Sequence, residues 1–159
     1  MRFPVIALAL CTASTALAHD GPPPASNTTL HAIGTAPSAE RIQADIRKLV
    51  SFGTRHTLSE TTSDTRGIGA ARRWIHAEFE RISRDCGGCL EVRYSNGTIS
   101  GEKRIPDPVD VVSVIAIQRG SADPNRYVIM SGDIDSRVSD VMDATSDSPG
   151  ANDNASGVA

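Results

Sequence analysis

The sequence predicts an α/β domain with a mixed sheet, and three observations support that class. Residues 38–53 and 69–84 have the apolar spacing of amphipathic helices. Residues 109–117 are largely β-branched and nearly all apolar, which is typical of a buried strand. Helices followed by a β-hairpin fit an α/β domain better than a simple βαβ repeat. Two helices and three strands are few for this class, so the domain is expected to be incomplete.

The N-terminus has the pattern of a secretory signal peptide. Arg2 supplies a positive charge, residues 5–10 begin an apolar stretch, and residues 16–18 (Ala-Leu-Ala) match a small-residue cleavage site. The apolar run is too short to cross roughly 30 Å of hydrocarbon, which argues against a membrane anchor. We therefore expect residues 1–18 to be removed and the product to be secreted or periplasmic, away from the membrane.

The next segment and the overall charge define the domain and exclude some partners. Residues 19–37 are rich in Pro, Ala, Ser and Thr and predict a flexible leader with little fixed structure, so the domain is expected over residues 38–159. The formal net charge is −3, and the basic residues are scattered without a run. This distribution gives no electrostatic basis for binding nucleic acid.

Two amphipathic helices are predicted after the leader. Ser38 is a suitable N-cap for the first, and Gly53 ends it. The apolar stripe of this helix comprises Ile42, Ile46, Leu49 and Val50. A polar loop over residues 54–66 leads to the second helix, whose pattern places Arg72 on the solvent side. Both His56 in the loop and His76 on the second helix are expected to be surface residues.

Three strand patterns follow the helices. Residues 90–94 alternate between apolar and polar, as in a half-buried strand, and residues 109–117 form the second pattern. A Gly-, Asp-, Pro- and Asn-containing turn at 120–125 separates it from a short apolar run at 127–130. The short turn predicts that the second and third strands pair as a hairpin.

Cys86 and Cys89 form the local motif Cys-Gly-Gly-Cys. In an exported protein a local disulfide is the favoured interpretation. A thioredoxin-like redox pair would need a βαβ context, and a structural zinc site would need two further ligands at suitable spacing. The sequence offers neither.

The residues that are the best candidates for binding a ligand follow the predicted third strand. Residues 131–136 read Ser-Gly-Asp-Ile-Asp-Ser, and residues 150–157 read Gly-Ala-Asn-Asp-Asn-Ala-Ser-Gly. Ligands of α/β sheets bind beyond the carboxyl ends of strands, and Gly132 is expected to allow a sharp turn there. Asn152 or Asp153 is a candidate cap for a helix that starts near Ala155. From the residues alone, a solvated acidic loop is favoured over a metal site, and the EF-hand calcium pattern does not fit.

With these two motifs in this order, the sequence resembles the co-catalytic dizinc aminopeptidases of metallopeptidase family twenty-eight, of the bacterial secreted type. The resemblance runs from about residue 38 to the last residue and covers only the N-terminal portion of that family's domain. It implies a mixed-sheet zinc exopeptidase fold in which helices and a β-hairpin lead to the metal-site loops. It also implies a peptide or protein substrate, two Zn²⁺ ions per complete domain and a metal-activated water.

The resemblance assigns roles to three aspartates. Asp153 falls at the carboxylate that bridges the two zinc ions, and Asp135 falls at an aspartate that orients a neighbouring ligand. Asp133 stands where the family has a zinc-ligating histidine. An aspartate can bind zinc through oxygen, but its reach is shorter and it adds negative charge.

The family's remaining catalytic parts have no counterpart in this sequence. They are a Glu-Glu pair that supplies the general base, a further acidic ligand and a distal histidine, all expected downstream. We therefore expect this chain alone to be inactive as a peptidase. The alternative function is a truncated, non-catalytic relative that at most binds a metal or a partner.

Overall fold

The computed structural model describes residues 27–159, in which four helices and two strands are joined by long loops. The predicted signal peptide at 1–18 and the leader residues 19–26 lie outside the described residues. The chain divides into one unit that ends at Ala36 and a second unit, Pro37–Ala159. No helix in the described range is both long enough and apolar enough to span a membrane.

The first unit contains helix α1, Thr28–Thr35. Its N-cap is Asn27, whose side-chain oxygen accepts hydrogen bonds from the backbone N–H groups of Thr29 and Leu30. No residue of α1 is buried. The composition of residues 19–37 predicted little fixed structure, and the helix differs from that expectation because an asparagine N-cap satisfies helix donors that composition alone does not consider.

The second unit begins with the two helices that the sequence predicted, and both are confirmed. Helix α2 spans Ala39–Val50, and the Ser38 hydroxyl accepts a hydrogen bond from the Arg41 N–H at 3.1 Å. Gly53 follows it with a φ of +72°, a left-handed conformation that glycine adopts without a side-chain clash. Helix α3 spans Gly67–Asp85 and starts two residues earlier than the expected 69–84.

The core lies between α2, α3 and the end of the chain. Its buried apolar members are Leu49, Phe52, Ala70, Ala71, Ile75 and Ala155. Arg72 was predicted on the solvent side, and that prediction is wrong because Arg72 is buried. The loop before α3 covers the helix N-terminus so closely that a Cβ atom at Gly69 would lie 2.1 Å from the Thr61 carbonyl oxygen. The first six residues of α3 are therefore buried on every side.

The sheet is an antiparallel pair. Strand β1, Leu90–Ile99, pairs with strand β2, Val109–Gln118, in a register that sets Leu90 opposite Gln118 and Ile99 opposite Val109. Both strands were predicted, and β1 is longer than expected. The α/β class is confirmed, and helices with a two-stranded sheet are consistent with a partial domain.

The predicted pairing of the second and third strands is wrong. Residues 127–130 form no strand, and their side chains are between 74% and 93% exposed. The hairpin instead joins the first two strands, through a turn that includes Gly101 at a φ of +76°. A strand needs a neighbour for its backbone N–H and C=O groups, and residues 127–130 find none within 27–159. An apolar, β-prone sequence is not sufficient when no partner strand is present.

Candidate functional site

The two acidic motifs lie side by side in the structure. A Cβ atom added at Gly132 would lie 2.1 Å from the carbonyl oxygen of Gly157. A Cβ atom at Gly150 would lie 2.6 Å from the Cβ of Ser136. Residues 131–136 and 150–157 are therefore in direct contact, although thirteen residues, 137–149, separate them in the sequence. Gly132 was expected to allow a sharp turn, but its φ is not positive, and its missing side chain instead permits this close approach.

Apolar residues anchor both motifs to the core. Ile134 packs against the core between the exposed Asp133 and Asp135. Ala155 is itself a core residue, and it follows the exposed Asp153 by two positions. Each motif therefore directs a small apolar group inward and leaves its acidic side chains accessible.

The chain around Asp153 is a short helical turn, Ala151–Ala155, that runs into helix α4, Ser156–Val158. Asp153 has non-helical backbone angles, φ −123° and ψ 94°, and the peptide bond that follows it is cis. Asn152 and Asp153 were candidate caps for this last helix. That prediction is wrong, because the N-cap of α4 is Ala155 and no side chain caps it.

Three of the six aspartates between 133 and 153 have structural partners. The Asp140 carboxylate accepts a hydrogen bond from the Met142 N–H, and the Asp147 carboxylate pairs with Arg66 at 2.6 Å. The Asp143 carboxylate accepts hydrogen bonds from the backbone N–H groups of Ser146 and Thr145. Hydrogen bonds from Ser146, and then from Thr145, hold the pKa of the Asp143 carboxyl well below its usual range. These three residues shape the loop.

The other three aspartates are Asp133, Asp135 and Asp153. Within residues 27–159 their carboxylates accept no hydrogen bond and form no ion pair of salt-bridge length. These are the residues to which the resemblance assigns metal-site roles. The structure therefore separates the acidic stretch into loop-forming aspartates and aspartates with free carboxylates.

The donor set fits part of a zinc site. Carboxylate oxygens are competent zinc ligands, but a structural or catalytic site has three or four protein ligands. Within the described range, no group of three or more His, Cys, Asp or Glu side chains is close enough together to hold a metal ion. Residues 27–159 alone do not make up a complete zinc site.

A cleft of about 190 Å³ lies beside two of the free aspartates, Asp133 and Asp135. Its walls come from the middle of β2, from Arg72 of α3 and from Gly132–Asp135, including both acidic side chains of that segment. The Nε atom of Arg72 is buried there without a hydrogen-bond partner. Burial lowers the pKa of the Arg72 guanidinium, and the Asp110 carboxylate opposes that shift. The cleft therefore combines two accessible carboxylates with a partly desolvated cation.

A buried polar network connects the loop after α2 to the acidic segments, and the sequence did not predict it. The Ser136 hydroxyl donates to the Ser148 carbonyl at 2.6 Å and accepts from the Arg55 N–H at 3.0 Å. The hydroxyls of Ser148 and Thr54 lie 3.1 Å apart. All four residues are buried. No local sequence pattern marks them, because the bonds that join Arg55 to Ser136 and Thr54 to Ser148 span 81 and 94 residues.

The histidines differ from expectation in one case. His56 was predicted at the surface, and that prediction is wrong because the side chain is 7% exposed. Its Nδ1 atom accepts the Leu58 N–H, so Nε2 carries the proton and donates to the Val141 carbonyl at 3.1 Å. Both ring nitrogens are thus engaged. His76 is half-buried and stacks on Tyr94 with ring centroids 4.5 Å apart.

Cys86 and Cys89 are joined by a disulfide with a Cα–Cα separation of 5.6 Å. The bridge closes the turn that connects α3 to β1. Cys86 is exposed and Cys89 is half-buried. A disulfide across so few residues constrains this turn and little else.

The sequence is similar to several proteins named as probable zinc metalloproteases. It is 52% identical over 136 residues to one from Leptosphaeria maculans, which corresponds to 86% of this chain and 32% of that protein. It is 52% identical over 122 residues to one from Pyrenophora teres f. teres, covering 77% of this chain and 25% of the relative. A relative from Pyricularia oryzae is 50% identical over 119 residues, which are 75% of this chain and 24% of that protein.

The chain thus spans about a quarter to a third of the length of the curated relatives that it matches. No family model matches the sequence. No solved structure matches it either.

Proposed function

We propose that this chain is the N-terminal part of a secreted, zinc-dependent exopeptidase of the aminopeptidase type, which hydrolyses peptide or protein substrates. The similarity to probable zinc metalloproteases over most of the chain supports the zinc peptidase class. The resemblance of residues 131–136 and 150–157 to dizinc aminopeptidase motifs supports the exopeptidase type. The signal-like residues 1–18 support secretion.

One structural observation carries the proposal. Among the six aspartates between 133 and 153, the three at motif positions have free carboxylates, and the three between the motifs are used by the loop itself. Carboxylate oxygens are zinc ligands, so a metal ion can bind these three accessible carboxylates without breaking a contact that the loop needs.

The proposed roles follow the motif positions. Asp153 would hold zinc through its carboxylate, and Asp135 would orient a neighbouring ligand. Asp133 occupies a ligand position with a shorter side chain than the histidine it replaces. Zinc in a complete domain would polarise the substrate carbonyl and activate a water. Because residues 27–159 hold no group of three metal-ligating side chains, we expect the purified chain by itself to hydrolyse no peptide.

A chimeric protein tests the proposal. The matching 136 residues of the Leptosphaeria maculans relative are replaced by this chain, and zinc-dependent release of N-terminal amino acids from short peptides is measured. Asp153→Ala should reduce that activity by about a hundredfold or more, as expected for a lost metal ligand. Asp140→Ala is the matched control, since its carboxylate accepts only the Met142 N–H, and it should leave activity within about twofold.

The contrasting outcomes separate the proposal from its alternative. Equal activity of the Asp153→Ala and Asp140→Ala chimeras would show that Asp153 is not a metal ligand. An inactive chimera, alongside an active relative, would favour the non-catalytic function. Cleavage only within peptides, with no release of N-terminal residues, would remove the aminopeptidase assignment and leave the zinc protease class.

A further inference from the structure

We propose that Arg55 is a positioning residue whose guanidinium sets the distance between the segment bearing Asp133 and Asp135 and the segment bearing Asp153. The proposal depends on the proposed function only for what these aspartates do. That Arg55 holds the two segments together is argued from contacts alone.

The Arg55 side chain binds backbone carbonyls from three separate parts of the chain. Its Nε donates to the Ile134 carbonyl at 2.9 Å, and its Nη2 donates to the Gly150 carbonyl at 3.0 Å. Its Nη1 is shared between the Pro149 carbonyl at 2.8 Å and the Leu49 carbonyl at 3.0 Å. One planar group therefore connects the end of α2 to both acidic segments.

These acceptors lie next to the free aspartates. The Ile134 carbonyl belongs to the residue between Asp133 and Asp135. The Gly150 carbonyl begins the turn that carries Asp153, and it also accepts the Ala155 N–H at 3.0 Å. A change in the position of the guanidinium would consequently shift both segments relative to each other.

Arg55 is a buried cation, which is unusual for a residue whose role is packing alone. Arg55 is 0% exposed, and within 27–159 its side chain donates hydrogen bonds to neutral carbonyls alone. Burial lowers the pKa of its guanidinium, and the charge of Asp135 opposes that shift. Burying a cation is costly, whereas an apolar side chain of similar size would pack there without that cost. A guanidinium has five N–H donors in fixed directions, so an arginine can bind all of these carbonyls at once. A lysine ammonium is a compact point charge that cannot span them.

The main chain of Arg55 makes separate contacts to the same region. Its N–H donates to the Ser136 hydroxyl, and its carbonyl accepts the Ser136 N–H at 3.4 Å. A substitution of the side chain leaves these backbone bonds possible. Arg55→Lys therefore isolates the guanidinium while it keeps the positive charge and the bulk of the side chain.

Hydrogen exchange of the purified, metal-free chain tests the proposal, with Arg55→Lys compared with the unchanged protein. We expect exchange in peptides covering 132–137 and 150–157 to rise about tenfold or more, because each segment loses a charge-assisted hydrogen bond to its carbonyls. Peptides from the middle of α3 should change less. Arg66→Lys is the matched control, since Arg66 also binds this loop, through the Thr145 carbonyl and Asp147, but is partly exposed. It should leave both segments unchanged.

A general loss of stability is distinguished by two further measurements. Sucrose stabilises the folded chain as a whole, and in Arg55→Lys it should restore protection to α3 and not to the two acidic segments. In Arg55→Ala, added guanidinium at non-denaturing concentration should restore protection of both segments, whereas methylammonium should not. Equal recovery of all regions in sucrose, without selective rescue by guanidinium, would overturn the positioning role.

The result does not depend on the zinc assignment. Zn²⁺ titration of the chimera with the Leptosphaeria maculans relative, with and without Arg55→Lys and in each case carrying Asp133→His, forms the second arm. Weaker zinc binding in Arg55→Lys together with faster exchange supports both ideas. Faster exchange with no zinc binding by any variant supports Arg55 as a positioning residue and counts against the proposed function. Unchanged exchange in both segments, whatever the zinc result, contradicts the proposal for Arg55.

Discussion

Two regions of this protein reverse the usual relation between polarity and burial. The loop residues Thr54–Arg55–His56 are polar, and all three are buried. Residues 127–130 (Tyr-Val-Ile-Met) are apolar, and all four are strongly exposed. Both regions adjoin the acidic segments. The first region contacts these segments, and the second immediately precedes residues 131–136.

The difference shows that burial follows the available partners. Arg55 and the serine and threonine hydroxyls are buried because carbonyls and other hydroxyls satisfy them. Residues 127–130 have the composition of a strand, but no neighbouring strand within 27–159 can pair with their backbone. Hydropathy alone predicts neither outcome.

The largest effect is expected from removing the guanidinium of the buried polar region. Arg55→Ala would leave the Ile134, Pro149 and Gly150 carbonyls without this donor and would open a cavity. We expect a loss of about 3–5 kcal/mol in the free energy of unfolding, measured by urea denaturation. Arg73→Ala, which removes an exposed arginine, should cost less than about 1 kcal/mol. Similar losses for both would show that the buried network contributes little.

A smaller effect is expected where the two acidic segments meet. Gly150 has a φ of +49°, and an added Cβ would lie 2.5 Å from the Asp153 carbonyl oxygen. Gly150→Ala should therefore destabilise the chain by about 1–3 kcal/mol and lower the thermal midpoint. Gly34→Ala, where an added Cβ meets nothing within 4 Å, should change it little. A neutral Gly150→Ala would contradict the close contact described here.

The exposed region should respond in the opposite way. Ile129→Lys places a charge on a side chain that is 87% exposed, so the free energy of unfolding should change by less than about 0.5 kcal/mol. Aggregation of the purified chain, followed by light scattering, should fall because the apolar run is interrupted. Ile75→Lys, a change in the core, should unfold the chain instead. A large destabilisation by Ile129→Lys would mean that residues 127–130 are packed.

The smallest effect concerns pH and the loop between the motifs. The pKa of Asp143 is lowered in the folded chain, so its contribution to stability is present above the unfolded value of about 3.9 and is lost as the pH falls below it. Asp143→Asn should flatten the acid dependence of exchange at the Thr145 and Ser146 amides. An unchanged acid dependence would show that these hydrogen bonds do not hold the loop.

The extent to which the sequence predicts this structure depends on the range of the interactions involved. Ser38 and the apolar stripe of α2 predict that helix because a cap and a periodicity are local signals. The free aspartates at 133, 135 and 153 were identified from two short motifs. Arg55 was missed because its hydrogen-bond partners lie far away in the sequence, and Arg72 was missed because the fold of the loop before α3, which covers the start of that helix, has no local sequence signal.

The prediction of a third strand was wrong for a related reason. Residues 127–130 have strand propensity, but strand formation requires a partner, and propensity carries no information about which partner is present. The reason for Gly132 was also misjudged, because its role lies in a contact with Gly157 and not in its own backbone angles. Local patterns therefore predicted elements, and distant contacts decided the site.

The central claim is that the aspartates with free carboxylates are part of a zinc site, and zinc affinity at position 133 tests it most directly. In the chimera with the Leptosphaeria maculans relative, Asp133→His should bind zinc about tenfold or more tightly than the unchanged sequence, because a histidine ligand reaches further and removes a negative charge. Asp140→His, at a loop-forming aspartate, should have no effect. Equal zinc affinity for the unchanged and Asp133→His proteins would contradict the account.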